Sequence, residues 1–307
     1  ACDNVTPGRR RPACVFAMAI PSSAIARSAR VGEVSCRRDA TFSDRAVRSP
    51  LPQPTRSFWR SRSFGVALVC ACFCALPPCA RAQDIARRAL LLDAAVAGAD
   101  VIAVGERGTI VRSSDAGKTW AAVPTPTDAT LTGISFTPDG RRGWAVGHDA
   151  LILATADAGR TWQIQWEGPD LESSFLDVCA LDATNVFAVG AYGLSLTTHD
   201  AGKTWIQQKL IDEDMHLNRI TQGPTGTLYV AGERGTLLRS NDRGRTWLRI
   251  DSPYDGSFYG ILPLGPTTLL AYGLRGRVFR STDDGDNWQS VRVDQPVLLA
   301  TGLKTTS

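Results

Sequence analysis

Beyond residue 80 the chain has one cysteine, Cys179; the other seven (Cys2, Cys14, Cys36, Cys70, Cys72, Cys74 and Cys79) precede it. A lone thiol builds neither an internal disulfide framework nor a cysteine zinc cage. In the apolar context FLDVCAL, Cys179 reads as a small buried hydrophobe. Histidine is as scarce: His148, His199 and His216 are isolated in sequence and are read as non-ligands. The apolar stretch Phe64–Leu76 has only 13 residues, too short to span a bilayer as a helix. Positive charge is also missing where it would matter for nucleic acid. Residues 1–82 hold 13 Lys+Arg against four Asp+Glu, which leaves 21 against 26 for residues 83–307. The basic balance belongs to the leader, and the part that should fold is mildly acidic, so a nucleic-acid binder is excluded.

The leader has its own logic. Arg60 and Arg62 precede the apolar stretch, Pro77-Pro78 breaks it, and Ala80-Arg81-Ala82 puts small residues before Gln83. That order predicts a signal peptide over 57–82, cleaved after Ala82, and hence a periplasmic or lumenal protein. Residues 1–56 are rich in Arg, Ser and Pro without periodicity, and are expected to be disordered or non-native upstream sequence.

What is present is a repeat. VIAVGERGTIVRSSDAGKTW (101–120), GWAVGHDALILATADAGRTW (143–162), VFAVGAYGLSLTTHDAGKTW (186–205), LYVAGERGTLLRSNDRGRTW (228–247) and LLAYGLRGRVFRSTDDGDNW (269–288) align without gaps. The closing tryptophans Trp120, Trp162, Trp205, Trp247 and Trp288 are spaced 42, 43, 42 and 41 residues apart. Short β-rich runs at that period, punctuated by Gly, Asp and Pro, predict an all-β protein: a β-propeller of four-stranded blades. The repeats fall at about 90–123, 131–167, 174–209, 216–250 and 258–293, within a propeller over 83–307. A partial unit at 296–307 predicts either a piece of a six- or seven-bladed ring or closure through Asp84–Val96.

Each hairpin before the tryptophan carries an aspartate that can accept backbone N–H bonds, and a glycine that permits positive φ. The aspartates are Asp115, Asp157, Asp200, Asp242 and Asp283, all read as structural. The pattern resembles the Asp-box (BNR) repeat of sialidases and other propellers, a marker of fold rather than of activity.

GERGTIVRSSDAGKTW and GERGTLLRSNDRGRTW are most similar to the photosystem II stability/assembly factor family of Asp-box propellers and its relatives in non-photosynthetic bacteria. The resemblance covers most of 90–303. It implies an exported, cofactor-free, non-catalytic monomer that serves as scaffold or chaperone for a protein subunit of a membrane complex, and it allows peripheral membrane association.

In alternating blades the second-to-third turns share a face with the links between blades, and the Asp-box hairpins occupy the other. Third positions of those turns are Arg107, Asp149, Tyr192, Arg234 and Arg275. Arg107, Arg234 and Arg275, with Tyr192, are the candidate partner-binding set, offered to an acidic or carboxylate-bearing partner. The bland alternative is solvated turn arginines. Arg112, Arg239 and Arg280 precede the boxes and are read as structural partners of hairpin carboxylates. Asp170, Glu172, Asp212, Glu213 and Asp214 fit no calcium loop and read as solvated charge.

Two other functions compete. A sialidase-type glycosidase would need an arginine triad, a tyrosine nucleophile with a Glu partner and an acid/base Asp. Its Phe-Arg-Ile-Pro stretch is absent, Asn218-Arg219-Ile220-Thr221 being the nearest, and no tyrosine has an evident Glu partner. A periplasmic carbohydrate-binding module would need exposed aromatics, for which Tyr192 and Trp166 are the candidates.

Overall fold

The computed structural model describes residues 88–169, 172–293 and 297–304, with the backbone of 14–15 and 19–20. The upstream segment 1–56, the signal peptide expected over 57–82 with its expected cleavage point, and Asp170 therefore lie outside the described residues, those four backbone positions excepted.

Five four-stranded antiparallel sheets follow one another along the chain. The first comprises β1 (Leu91–Ala97), β2 (Asp100–Gly105), β3 (Ile110–Ser113) and β4 (Ala121–Val123). The second holds β5 (Leu131–Phe136), β6 (Gly143–Gly147), β7 (Leu151–Thr155) and β8 (Gln163–Glu167). The third holds β9 (Phe175–Ala180), β10 (Val186–Gly190), β11 (Ser195–Thr198) and β12 (Ile206–Gln207). The fourth holds β13 (Leu217–Gln222), β14 (Leu228–Gly232), β15 (Leu237–Ser240) and β16 (Leu248–Arg249). The fifth holds β17 (Phe258–Pro263), β18 (Leu269–Gly273), β19 (Val278–Ser281) and β20 (Gln289–Val291). These are the blades of a propeller, as the repeat predicts.

Burial follows position in the blade. Second strands such as VFAVG and LYVAG are buried at every residue, because both of their faces are covered by neighbouring blades. A continuous apolar run, rather than alternation, is what such a strand requires. Fourth strands face water and are short, which limits them as edges for further pairing. The core is accordingly divided among the blade interfaces. Phe175, Trp144, Val178 and Ala188 pack between blades 2 and 3, and Phe187, Val189, Ile220 and Val230 between blades 3 and 4. The box tryptophans of blades 2 to 5 each join the interface with the preceding blade: Trp162 to blade 1, Trp205 to blade 2, Trp247 to blade 3 and Trp288 to blade 4.

At the end of the chain, β21 (Leu298–Leu299) and β22 (Leu303–Lys304) pair with the backbones of Ala19–Ile20 and Cys14–Val15. Closure through Asp84–Val96 is not what forms among the described residues. Leu91–Ala97 is the inner strand of blade 1, and its one pairing partner is β2.

Candidate partner face and axial ion pair

The five second-to-third turns are built alike. The first turn residue donates its N–H back across the turn, as in Gly105 to the Thr109 carbonyl at 3.0 Å and Gly190 to the Leu194 carbonyl at 2.8 Å. The second donates to the residue preceding its own inner strand: Glu106 to Leu90, Ala191 to Ser174, Glu233 to His216 and Leu274 to Ser257, at 2.9–3.0 Å. The fourth reaches the link to the next blade: Gly108 to Ala129, Ala150 to Ser173, Gly193 to Met215 and Gly235 to Gly256. These tethers, all three in the turns of blades 1, 3 and 4 and two of them in those of blades 2 and 5, hold the third residue in the left-handed region at every copy. Arg107, Asp149, Tyr192, Arg234 and Arg275 have φ of 53°, 60°, 53°, 49° and 59°. All five side chains are exposed, Tyr192 at 69 %. The leading glycine is steric: a Cβ on Gly190 would stand 2.2 Å from the Ser174 carbonyl oxygen.

The predicted set is only partly brought together. Tyr192 meets blade 4 through His216, ring centroids 4.7 Å apart and edge-on. His216 in turn lies 3.6 Å from Glu233, the residue before Arg234. Burial and the nearby Glu233 charge raise the Tyr259 hydroxyl pKa. Arg107 and Arg234 each follow a glutamate, whereas Arg275 sits on blade 5 with Arg277 and Arg292. Among the linker acids, Asp212 pairs with Lys209 at 3.2 Å and Glu213 with Arg249 at 2.9 Å. Trp166 is half-buried against the interface of blades 2 and 3, which removes it as an exposed sugar platform.

On the opposite face the Asp-box carboxylates are bound into their hairpins. Asp157 Oδ1 accepts from the Thr161 N–H at 2.9 Å and Oδ2 from the Thr161 hydroxyl at 2.7 Å. Asp115, Asp200 and Asp242 repeat the scheme with Thr119, Thr204 and Thr246, and Asp283 with Asn287. Donors converging on an anion favour the ionised form, so Asp115, Asp157, Asp200 and Asp242 are lowered to about 2. For Asp157 burial opposes this, but the hydrogen bonds outweigh it. Arg239 bonds Asp284 of the next blade's hairpin at 2.9 Å, while Arg112 pairs with Asp100, the first residue of β2 in its own sheet. Arg280, exposed, forms no ion pair among the described residues, contrary to its predicted structural pairing.

One cluster has no counterpart among the sequence-derived candidates. Each inner strand carries a bulge after its first residue, and the residues that follow the bulges are Asp93, Gly133, Asp177, Arg219 and Gly260. They line the axis. Arg219 Nε lies 3.3 Å from Asp177 Oδ2, and Nη1 lies 3.6 Å from Asp93 Oδ1, joining blades 1, 3 and 4. Asp93 accepts from the Ile134 N–H at 3.0 Å and Asp177 from the Ile220 N–H at 2.8 Å, each in the following blade. Burial pushes the Asp177 carboxyl up to about 6, with Arg219 pulling against it. The same burial, with Asp177 adding to it, raises the Cys179 thiol to about 12, consistent with an inert core residue. The sequence shows the set only as charges at one first-strand position that Gly133 and Gly260 fill in the other two blades, and nothing local shows that the three charges meet.

The family described as Photosynthesis system II assembly factor YCF48 matches residues 81–167 and 163–304. No curated protein matches. Among solved structures, "YCF48 bound to D1 peptide" is 22% identical, with a TM-score of 0.41 over 66% of this chain and 82% of that one. YCF48 from Cyanidioschyzon merolae is 16% identical, with a TM-score of 0.46 over 68% and 87%. The GH74 xyloglucanase from Xanthomonas campestris is 17% identical, with a TM-score of 0.52 over 64% of this chain and 37% of its own, a likeness of fold alone. On the family match, which spans most of the chain, this protein belongs to the photosystem II assembly factor YCF48 family.

Proposed function

We propose that the chain is an exported, non-catalytic assembly or stability factor that holds a subunit of a membrane complex on its turn face. Family membership carries this reading. The face itself supports it, since five side chains are projected on turns tethered by two or three backbone hydrogen bonds each, with Tyr192 held out at 69 % exposure. Pre-organised residues on a stiff scaffold lose little entropy when a partner binds. The carboxyls support a non-catalytic role. Those of the Asp boxes are lowered and bonded within their hairpins, and the raised one, Asp177, is locked against Arg219 at the axis rather than in an open cleft.

The test is capture of membrane-complex subunits from a periplasmic or lumenal extract by the tagged protein. Arg107→Glu, Arg234→Glu and Arg275→Glu combined are expected to abolish capture with the melting temperature unchanged. Undiminished capture would retire the reading. Release of product from a panel of fluorogenic glycosides by wild type would replace it with an enzyme.

A further inference from the structure

On the side of each blade that faces the next, a row of cross-strand neighbours recurs. It reads Tyr229, Arg239 and Leu248 in blade 4, and Trp144, Ala154 and Gln163 in blade 2. The middle residue is arginine in blades 1, 4 and 5: Arg112, Arg239 and Arg280. In blade 4 it fills the space between blades, donating from Nη1 to the Asp284 carbonyl at 2.8 Å and to the Asp284 carboxylate at 2.9 Å. Blade 2 has only the methyl group of Ala154 there. The hairpin that follows it carries Ala201 and Lys203 where blade 5 has Asp284 and Asp286. A slot of about 340 Å³ remains beside the box hairpins, on the face away from the partner turns. Its frame is fixed, because Trp144 Nε1 donates to Gln165 Oε1 at 2.8 Å and Gln165 Nε2 to the Ala201 carbonyl of blade 3 at 2.9 Å.

We propose that this slot binds a small neutral saccharide. Its volume lies at the low end of small-ligand clefts, about 300–1,000 Å³. A cation is disfavoured, since the two carboxylates beside Arg239 in blade 4 are absent here and Arg142 stands in the wall. An anion would meet Asp157, whose carboxylate is kept ionised by its own hairpin. Sugar hydroxyls both donate and accept. They therefore suit a wall that holds a donor in Arg142, an acceptor in Asp157 and both in the Gln163 amide. The CH groups of a sugar ring meet Trp144, Ala154 and Ile164. A bulge between Ile164 and Trp166 breaks the alternation of β8, so that Gln163, Ile164 and Gln165 all reach the slot. Asp157 is the one carboxyl among the lining residues, and glycoside cleavage takes a pair, so the slot binds without cutting.

Titration of the full-length, isotope-labelled chain with cellobiose, maltose and chitobiose tests this, read at the Trp144 indole and Gln163 side-chain amide resonances. Saturable shifts are expected with at least one of these sugars, at a Kd of about 1 mM. Ala154→Met, which fills the slot with an uncharged chain of nearly arginine's reach, should weaken binding about tenfold. Gln163→Ala, which removes one exposed amide, should weaken it about threefold, the share of a single hydrogen bond, with melting unchanged. Resonances that stay in place with every sugar would overturn the site, as would shifts undiminished in either variant. Tighter binding of N-acetylarginine amide or N-acetylglutamate amide would give the slot to a charged side chain and overturn the saccharide assignment.

Discussion

Tyr192 is the residue at which stability and function separate most cleanly. Its backbone sits at φ 53°, where a side chain costs about 1 kcal/mol and glycine costs nothing. Its ring is spent on His216 and on solvent rather than on the core. Tyr192→Gly is therefore expected to hold or raise the melting temperature by a few degrees while weakening partner capture. A fall in melting temperature together with capture would show a packing residue instead. The box aspartates behave in the opposite manner. Asp115, Asp157, Asp200 and Asp242 are lowered to about 2 from an ordinary 3.8. A depressed carboxylate contributes stability that is complete above the unfolded value and lost as pH falls through the folded one. Acid unfolding should thus steepen between pH 4 and 2, and Asp157→Asn should flatten its slope by about one proton, read by circular dichroism across pH. These aspartates were legible in the sequence because every partner lies within four residues, as with Thr161 and Thr155 around Asp157. Tyr192 was legible as a turn position, but its contact with His216 of the next link was not.

At the scale of the element, the turn is specified by a glycine whose constraint is invisible in its own strand. Gly190 has extended backbone, so its φ is open to any residue; what excludes a side chain is the Ser174 carbonyl 2.2 Å from where Cβ would stand. That carbonyl also receives the Ala191 N–H. Gly190→Ala must therefore push β9 and β10 apart at the root of the Tyr192 turn, and overpacking of this kind costs about 1–3 kcal/mol. The expected result is a lower midpoint in urea with an unchanged slope, and faster hydrogen exchange at Ala191 and Gly193. Exchange no faster than wild type would mean that the turn is held from elsewhere. Strand limits were readable from the repeat because apolar runs and box turns alternate at a fixed spacing. The bulges after Leu91, Leu131, Phe175, Leu217 and Phe258 were not, because no local residue type announces them.

At the scale of the molecule, the axis is held by a contact that no local pattern could disclose, since it requires the blades to be in place first. Arg219 of blade 4 reaches Asp177 of blade 3 and Asp93 of blade 1. Both carboxylates are nearly inaccessible. Removing the cation with Arg219→Met leaves two buried negative charges facing each other, a change that costs about 3–5 kcal/mol. Arg219→Met combined with Asp93→Asn and Asp177→Asn removes the charges along with their partner, and should recover most of that loss. The pH dependence separates this pair from the boxes. Asp177 is raised to about 6, so the folded state keeps a proton that the unfolded chain releases near 3.8. Its contribution is therefore complete below the unfolded value and lost as pH rises through about 6. Wild type should lose stability across that window relative to the triple variant, whose axis carries no titrating group. Melting curves for both proteins from pH 4 to 7 decide it: parallel curves would mean that Asp177 titrates normally and that the axis is held by packing rather than by charge.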